Sequence, residues 1–252
     1  MASHRLRIRD LTVSYHRVPA VHHVTLELQC GKCIALLGPN GAGKTSFFKA
    51  LVGLIRPEAG SIELGGHGAH RHDIAYLPQR EAIDWDFPVT VRGLAEMGRY
   101  TRLGWWRRFG AADDAAVEKA LARMELTELA GRQISALSGG QQQRAFLARA
   151  LAQEAHVMLL DEPFTGLDKP AQDLLSQTLR NLAAAGNLVI ASHHDLKTVP
   201  ELFDEVIFLN GELIAAGDTA TTFTEANIDK TFGTLAFAGE GHRRHHHHHP
   251  AK

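Results

Sequence analysis

The run Gly38-Pro39-Asn40-Gly41-Ala42-Gly43-Lys44-Thr45-Ser46 sets glycines, a lysine and hydroxyls at the spacing G-x-x-x-x-G-K-[ST]. Glycines let successive backbone N–H groups turn inward around a polyphosphate, and a helix opening after them aims its positive dipole end at the same charge. Lys44 then reaches the β- and γ-phosphates, and the Thr45 hydroxyl is a ligand for Mg²⁺. A second run, Val157-Met158-Leu159-Leu160-Asp161-Glu162, is apolar and ends in two acids. Parallel α/β sheets bind ligands outside the carboxyl ends of their strands. Asp161 is therefore placed to hold Mg²⁺ through its water shell, and Glu162 to polarise a water against the γ-phosphate. A third run, Ser138-Gly139-Gly140-Gln141, opens a helix with Ser138 as N-cap. Its two glycines cost helix stability but leave the first amides bare, which makes a second anion site. Two phosphate sites from separate segments suit a head-to-tail pair of chains, each completing its partner's site.

The surrounding elements can be read from periodicity. Leu6, Ile8, Leu11 and Val13 keep a strand-like beat, which Val24, Leu26 and Leu28 resume after a break at Pro19. Ile34 to Leu37 is a short continuous apolar run, as in a strand buried on both faces, and Thr45 to Val52 has helical spacing. Short strands are expected at Ser61 to Leu64 and Ile74 to Leu77. From about 89 to 153 the character is helical, with helices at Ala111 to Met124 and Gly140 to Ala152. Strands return at Val157 to Leu160, Leu188 to Ala191 and Val206 to Leu209, with a helix from Pro170 to Ala185 between the first two. Strand, helix, strand means a parallel α/β core, interrupted by a helical insertion. Periodicity fades after Thr224.

Composition sets the class. At about 150 residues per domain, 252 residues allow one large domain or two small ones. Hydrophobic residues at 44% supply a core, and a net charge of -1 gives no basic field for nucleic acid or anionic lipid. No apolar stretch is long enough to span a bilayer, and the N-terminus does not read as a signal peptide. Cys30 and Cys33 form a single C-x-x-C around Gly31-Lys32, which reads as two small residues flanking a turn rather than as zinc or redox chemistry.

The glycine-rich loop, the Leu-Ser-Gly-Gly-Gln helix start and the Leu-Leu-Asp-Glu-Pro strand, in this order from about Leu6 to Thr222, resemble the ATP-binding cassette (ABC) ATPases. The resemblance implies an α/β P-loop NTPase: a RecA-like parallel-sheet core with an N-terminal antiparallel β region and an inserted helical subdomain. The cassette would span 5–224 with the subdomain at about 89–153, and 225–252 would be a C-terminal extension with a His-rich tail. It also implies a homodimer sandwiching two ATP molecules with Mg²⁺, in which Ser138, Gly139, Gly140 and Gln141 contact nucleotide held by the other subunit. Tyr15 is similar to the aromatic that stacks on adenine, and Gln79 to the glutamine that contacts Mg²⁺ and the attacking water. Asp168 is similar to the aspartate of the dimer-bridging loop. In Ser192-His193-His194-Asp195, a small polar residue ends the strand and the alignment selects His194 for the γ-phosphate. His193 stands where the family often has Thr, so its loss is expected to matter less.

The segment Arg80 to Val91, with Trp85 and Phe87, and Met97-Gly98-Arg99-Tyr100 resemble the ATPases of bacterial manganese, zinc and iron(II) importers. That implies an ATPase powering metal import through a separate integral-membrane permease, with an extracytoplasmic metal-binding protein delivering the cargo. The chain would then be peripheral, on the cytoplasmic face of the inner membrane, and would have no nucleic-acid partner. Trp85 and Phe87 can be read as anchors in the permease interface or as core of the insertion. An ATPase for another cargo, such as chelated iron, is the nearest alternative; a soluble ABC protein acting on ribosomes or DNA is a further one. His67, His70 and His72, and the tail histidines His242 and His245 to His249, can be read as metal ligands or, for the tail, as a tag.

Overall fold

The computed structural model describes residues 5–15, 18–65, 73–79, 87–103 and 107–233. Its strands form two sheets. In the first, β1 (Arg5–Tyr15) lies between antiparallel partners β2 (Val18–Gln29) and β4 (Ala59–Gly65). Leu6, Ile8, Leu11 and Val13 are fully buried, so the period-two beat sets which face meets the core. At Asp10, with φ 49°, the register slips against both neighbours, which is a bulge. Pro19 does not precede β2 as expected but lies within it. An edge strand tolerates a residue with no N–H to donate, and β2 is at the edge of this sheet.

The second sheet runs β5 (Ile74–Leu77), β6 (Val157–Leu160), β7 (Leu188–Ser192), β3 (Lys32–Leu37), β8 (Glu205–Asn210), β9 (Glu212–Asp218). The first five are parallel and β9 turns back antiparallel on β8. Residues of β3 alternate between two cores. Ile34 and Leu36 face the first sheet together with Phe47 and Phe48 of α1 (Lys44–Leu51). Cys33, Ala35 and Leu37 face Leu175, Leu179 and Ala183 of α5 (Lys169–Ala184). Covered on both faces, β3, β6 and β7 read as unbroken apolar runs.

The helical insertion consists of α2 (Val91–Leu103), α3 (Ala111–Arg123) and α4 (Gly139–Ala152), with α2 and α3 packed on α4. Buried Arg99 ties the three together. It donates to Asp113 at 2.9 Å, to Glu154 at 2.8 Å and to the Ala152 carbonyl at 2.8 Å. A buried guanidinium needs that full set of acceptors to offset its lost hydration. Beside it, a Cβ on Gly98 would stand 2.2 Å from the Arg149 carbonyl oxygen, so only glycine lets α2 approach α4 this closely.

The short helices α6 (Val199–Leu202) and α7 (Thr219–Thr222) precede a last helix, α8 (Glu225–Phe232), where the sequence reading has periodicity fading. Thr224 caps it by accepting from the Asn227 amide at 3.3 Å, and Ile228 is buried in the main core. The folded body therefore continues past 224. Cys30 and Cys33 are free thiols, and burial pushes Cys33 up to about 12, which removes it from thiolate chemistry. Among the described residues no helix is long and apolar enough to cross a membrane. Trp85, the loop histidines and the histidine tail lie outside the described residues.

Candidate active site

The loop from 38 to 43 links the buried end of β3 to α1. A Cβ at Gly38 would meet the Leu209 carbonyl oxygen at 2.1 Å, and one at Gly43 the Ala20 carbonyl oxygen at 2.2 Å. Glycine at both is therefore a packing requirement as well as a means of baring amides. Lys44 Nζ donates to the carbonyls of Gly38 at 2.7 Å and Pro39 at 3.0 Å, which places the ammonium across the loop. Burial lowers the pKa of Lys44, and Glu162 and Asp161 act in the opposite direction.

The ends of three other strands, β5, β6 and β7, converge on this loop. Thr45 Oγ1 donates to Asp161 Oδ2 at 2.6 Å. Ser192, at the end of β7, donates to Asp161 Oδ1 at 2.7 Å and accepts from the Glu162 amide at 2.7 Å. Gln79, just after β5, donates to Glu162 Oε1 at 3.0 Å, and Thr165 Oγ1 lies 3.4 Å from Glu162 Oε2. Asp161 is buried and accepts one bond on each carboxylate oxygen, whereas Glu162 is half-buried with its carboxylate at the cleft. Glu162 also has φ 52°, an uncommon backbone for a residue with a side chain. Strain of this kind persists only when neighbours over-determine it, and here the Ser192 bond to the Glu162 amide is one of them.

An open cleft of ≈ 540 Å³ runs from Tyr15 past the glycine loop to Gln79 and Glu162. Tyr15 is 44% exposed at its outer end, with its hydroxyl 3.4 Å from Ser46 Oγ. A ring open to solvent at the mouth of a phosphate loop can stack on a planar base. The hydroxyl of Thr45 and the carboxylate of Asp161 form a hard-oxygen donor pair. That suits Mg²⁺, which binds one or two protein ligands and keeps phosphate oxygens and waters for the rest. Among the described residues no group of three or more His, Cys, Asp and Glu side chains is placed to hold a metal on its own.

The remaining expected residues lie elsewhere. Ser138 caps α4, accepting from the Gln141 amide at 3.4 Å while the Gln141 side chain accepts from the Ser138 amide at 3.0 Å. This reciprocal box holds the Ser138-Gly139-Gly140-Gln141 set, but none of the four lines the cleft. Asp168 is exposed and caps α5 through the Ala171 amide at 3.0 Å. His194 is exposed beside a separate cavity of ≈ 240 Å³ bordered by residues 164–166 and 193–195. His193, in contrast, is only 5% exposed. Nothing in its residue type marks Ser192 as functional. Its signal is position alone, as the small polar residue ending β7 before the two histidines.

A phosphate loop after the central strand of a parallel sheet, faced by a hydroxyl–carboxylate pair and a second acid, defines a nucleotide-binding P-loop protein. A family profile described as ABC transporter matches residues 21–165, and the chain belongs to that family. It is 43% identical over 233 residues to the manganese transport system ATP-binding protein MntB of Halalkalibacterium halodurans, covering 92% of this chain and 93% of that protein. It is 42% identical to the chelated iron transport system membrane protein YfeB of Yersinia pestis, covering 90% and 79%. Identity is 40% to the zinc transport system ATP-binding protein TroB of Treponema pallidum, covering 92% and 88%. Among solved structures, a protein described as a metal-chelate type ABC transporter, seen inward-facing, superposes with TM-score 0.79 at 29% identity, covering 92% of this chain and 89% of that one.

Proposed function

We propose that this chain binds and hydrolyses ATP with Mg²⁺ and thereby powers import of a divalent transition metal, manganese, zinc or iron, through separate permease subunits. The observation that carries the hydrolysis is the chain Thr45–Asp161–Ser192–Glu162–Gln79 at the mouth of the phosphate loop. The cargo class rests on the transport systems named for relatives at 40–43% identity over nearly the whole chain.

In this reading the loop amides from Gly38 to Gly43 and the Lys44 ammonium bind the phosphates, with Tyr15 against the base. Thr45 and Asp161 hold Mg²⁺, which when bound supplies positive charge to the phosphate oxygens. Glu162 accepts a proton from the attacking water, Gln79 orients that water, and His194 meets the γ-phosphate; the products are ADP and phosphate. Such catalysis is positioning and charge stabilisation. Ser138, Gly139, Gly140 and Gln141, which stand outside their own cleft, serve the cleft of a second copy, and Asp168 lies in the loop between the two. The dimer sits peripherally on the cytoplasmic face of the inner membrane. Phe87, Met97 and Tyr100 are exposed on and beside α2. For Phe87, exposure favours contact with the permease over a place in the core. A metal-binding protein on the far side delivers the cargo.

The test has two arms. Glu162→Gln keeps size and hydrogen bonding but removes the base, so Mg-ATP binding should persist while turnover falls by at least about 10²-fold. Light scattering should then show a trapped dimer. Hydrolysis within about threefold of the parent, far short of a general-base effect, would show that Glu162 is not the base. In cells, Trp85→Ala with Phe87→Ala should abolish metal uptake and copurification with the permease while leaving the isolated subunit's melt intact. Normal uptake would remove the docking assignment.

A further inference from the structure

We propose that His193 is a positioning residue for hydrolysis, holding His194 and the loop that ends at Asp168 in register with the phosphate loop. This rests on the reading above, in which His194 meets the γ-phosphate. Four segments meet at His193. Its amide donates to the Leu36 carbonyl at 3.2 Å, in the strand that runs into the glycine loop. Its ring packs edge-on against Phe164 at 5.3 Å between centroids, and Phe164 lies between Glu162 and Asp168. On another side the ring meets Phe203, just before β8, at 5.4 Å. Its Nε2 is 2.7 Å from Thr198 Oγ1 in the turn leading to α6.

Thr198 Oγ1 lies between His193 Nε2 at 2.7 Å and the Asp195 carbonyl at 3.0 Å, and a hydroxyl can serve both as donor to one and acceptor from the other. The turn 193–198 thus closes through His193, Thr198 and Asp195. His194 rides on that turn, its ring 5.9 Å from that of His193. The two adjacent histidines thus have opposite environments, one locked between aromatic rings and one exposed. Burial keeps the inner ring neutral down to about pH 4, with His194 acting in the same direction and Asp195 against it. Movement of the loop carrying Phe164 would therefore be felt at His194 through the rigid ring between them, and the reverse.

The experiment uses the full chain and steady-state ATPase, with ADP binding followed by calorimetry. His193→Ala and Thr198→Val should each lower kcat by on the order of 10-fold to 10²-fold, the scale of a misplaced catalytic group, with KM and ADP affinity nearly unchanged. His193→Gln, whose amide can donate to Thr198, should recover most of the turnover lost in His193→Ala. If His193 acts through His194, the pair His193→Ala with His194→Ala should be no slower than His194→Ala alone. Multiplying losses in the pair, or a Gln variant as slow as Ala, would overturn the proposal while leaving the functional reading in place. If His194→Ala turns over like the parent, the functional reading of His194 fails first and takes the proposal with it. Should His193→Ala not fold, Thr198→Val and His193→Gln still decide the matter.

Discussion

Ser192→Ala isolates the hydroxyl that joins the two acids of the site. Ser192 is fully buried, donates to Asp161 Oδ1 at 2.7 Å and accepts from the Glu162 amide at 2.7 Å. The substitution removes one atom, so the cavity cost is small and hydrogen bonding dominates. A bond ending on a carboxylate contributes about 1.5–3 kcal/mol, and an orphaned amide costs about 1–3 kcal/mol. Asp161 keeps its Thr45 donor at 2.6 Å, and the half-buried Glu162 can recover some hydration. The expected loss is therefore near the low end of the sum, about 3 kcal/mol. For a chain of this length that lowers Tm by roughly 6–12 °C. Turnover should fall as well, measured well below the new Tm at saturating ATP, because Glu162 at φ 52° loses the bond that fixes its backbone. Denaturant unfolding and steady-state ATPase measure the two effects separately. A Tm drop under about 2 °C with unchanged turnover would refute the idea that Ser192 holds Glu162 in place.

Other outcomes follow from single contacts. Gly98→Ala puts a Cβ 2.2 Å from the backbone oxygen of Arg149, so α2 should be forced off α4 at a cost of about 1–3 kcal/mol in urea unfolding; Met97→Ala, on an exposed neighbour, should cost about 0.5 kcal/mol or less. His193 makes stability depend on pH. Its pKa is about 4 when folded and 6.5 ordinarily, so between those values the unfolded chain binds the extra proton. Stability from this group is intact above about 6.5 and is lost as pH falls toward 4, amounting to about 2 kcal/mol between about pH 7.5 and about pH 5. Unfolding titrations at the two pH values should show this difference in the parent and a flatter one in His193→Gln.

Elements buried on both faces were the most legible in the sequence. Val157 to Leu160 coincides with β6 and Leu188 to Ala191 falls within β7, because a strand covered on both sides leaves an unbroken apolar run. By contrast β9, Glu-Leu-Ile-Ala-Ala-Gly-Asp, is nowhere fully buried; its apolar run Leu213 to Ala216 is half small alanine and carries little of the β-branched and aromatic signal of a strand. The helix α8 is eight residues long and buries only Ile228 and Thr231, too little for a periodic signal. At the site, the glycine loop and Asp161-Glu162 announced themselves by spacing. Whether Ser138 faced its own cleft or another did not, because that depends on how the insertion packs. The inner and outer histidines were likewise indistinguishable by type. The inner one is core because Phe164 and Phe203 close on its ring, which no local pattern shows.

The strand order has a consequence for synthesis of the chain. Thr45 and Asp161 are 116 residues apart, and their strands, β3 and β6, are not neighbours: β7 lies between them. Until residues 188–192 have slotted into that gap, the two halves of the site have no shared backbone to register against. A nascent chain released through about residue 187 would carry the glycine loop, the Ser138 helix start and Asp161-Glu162, yet its hydroxyl and carboxylate would not be held together. Contacts this distant in sequence also form late and slowly. The hydroxyl–carboxylate pair of this site is thus assembled by a strand that belongs to neither half, and a growing polypeptide gains it only once β7 has emerged.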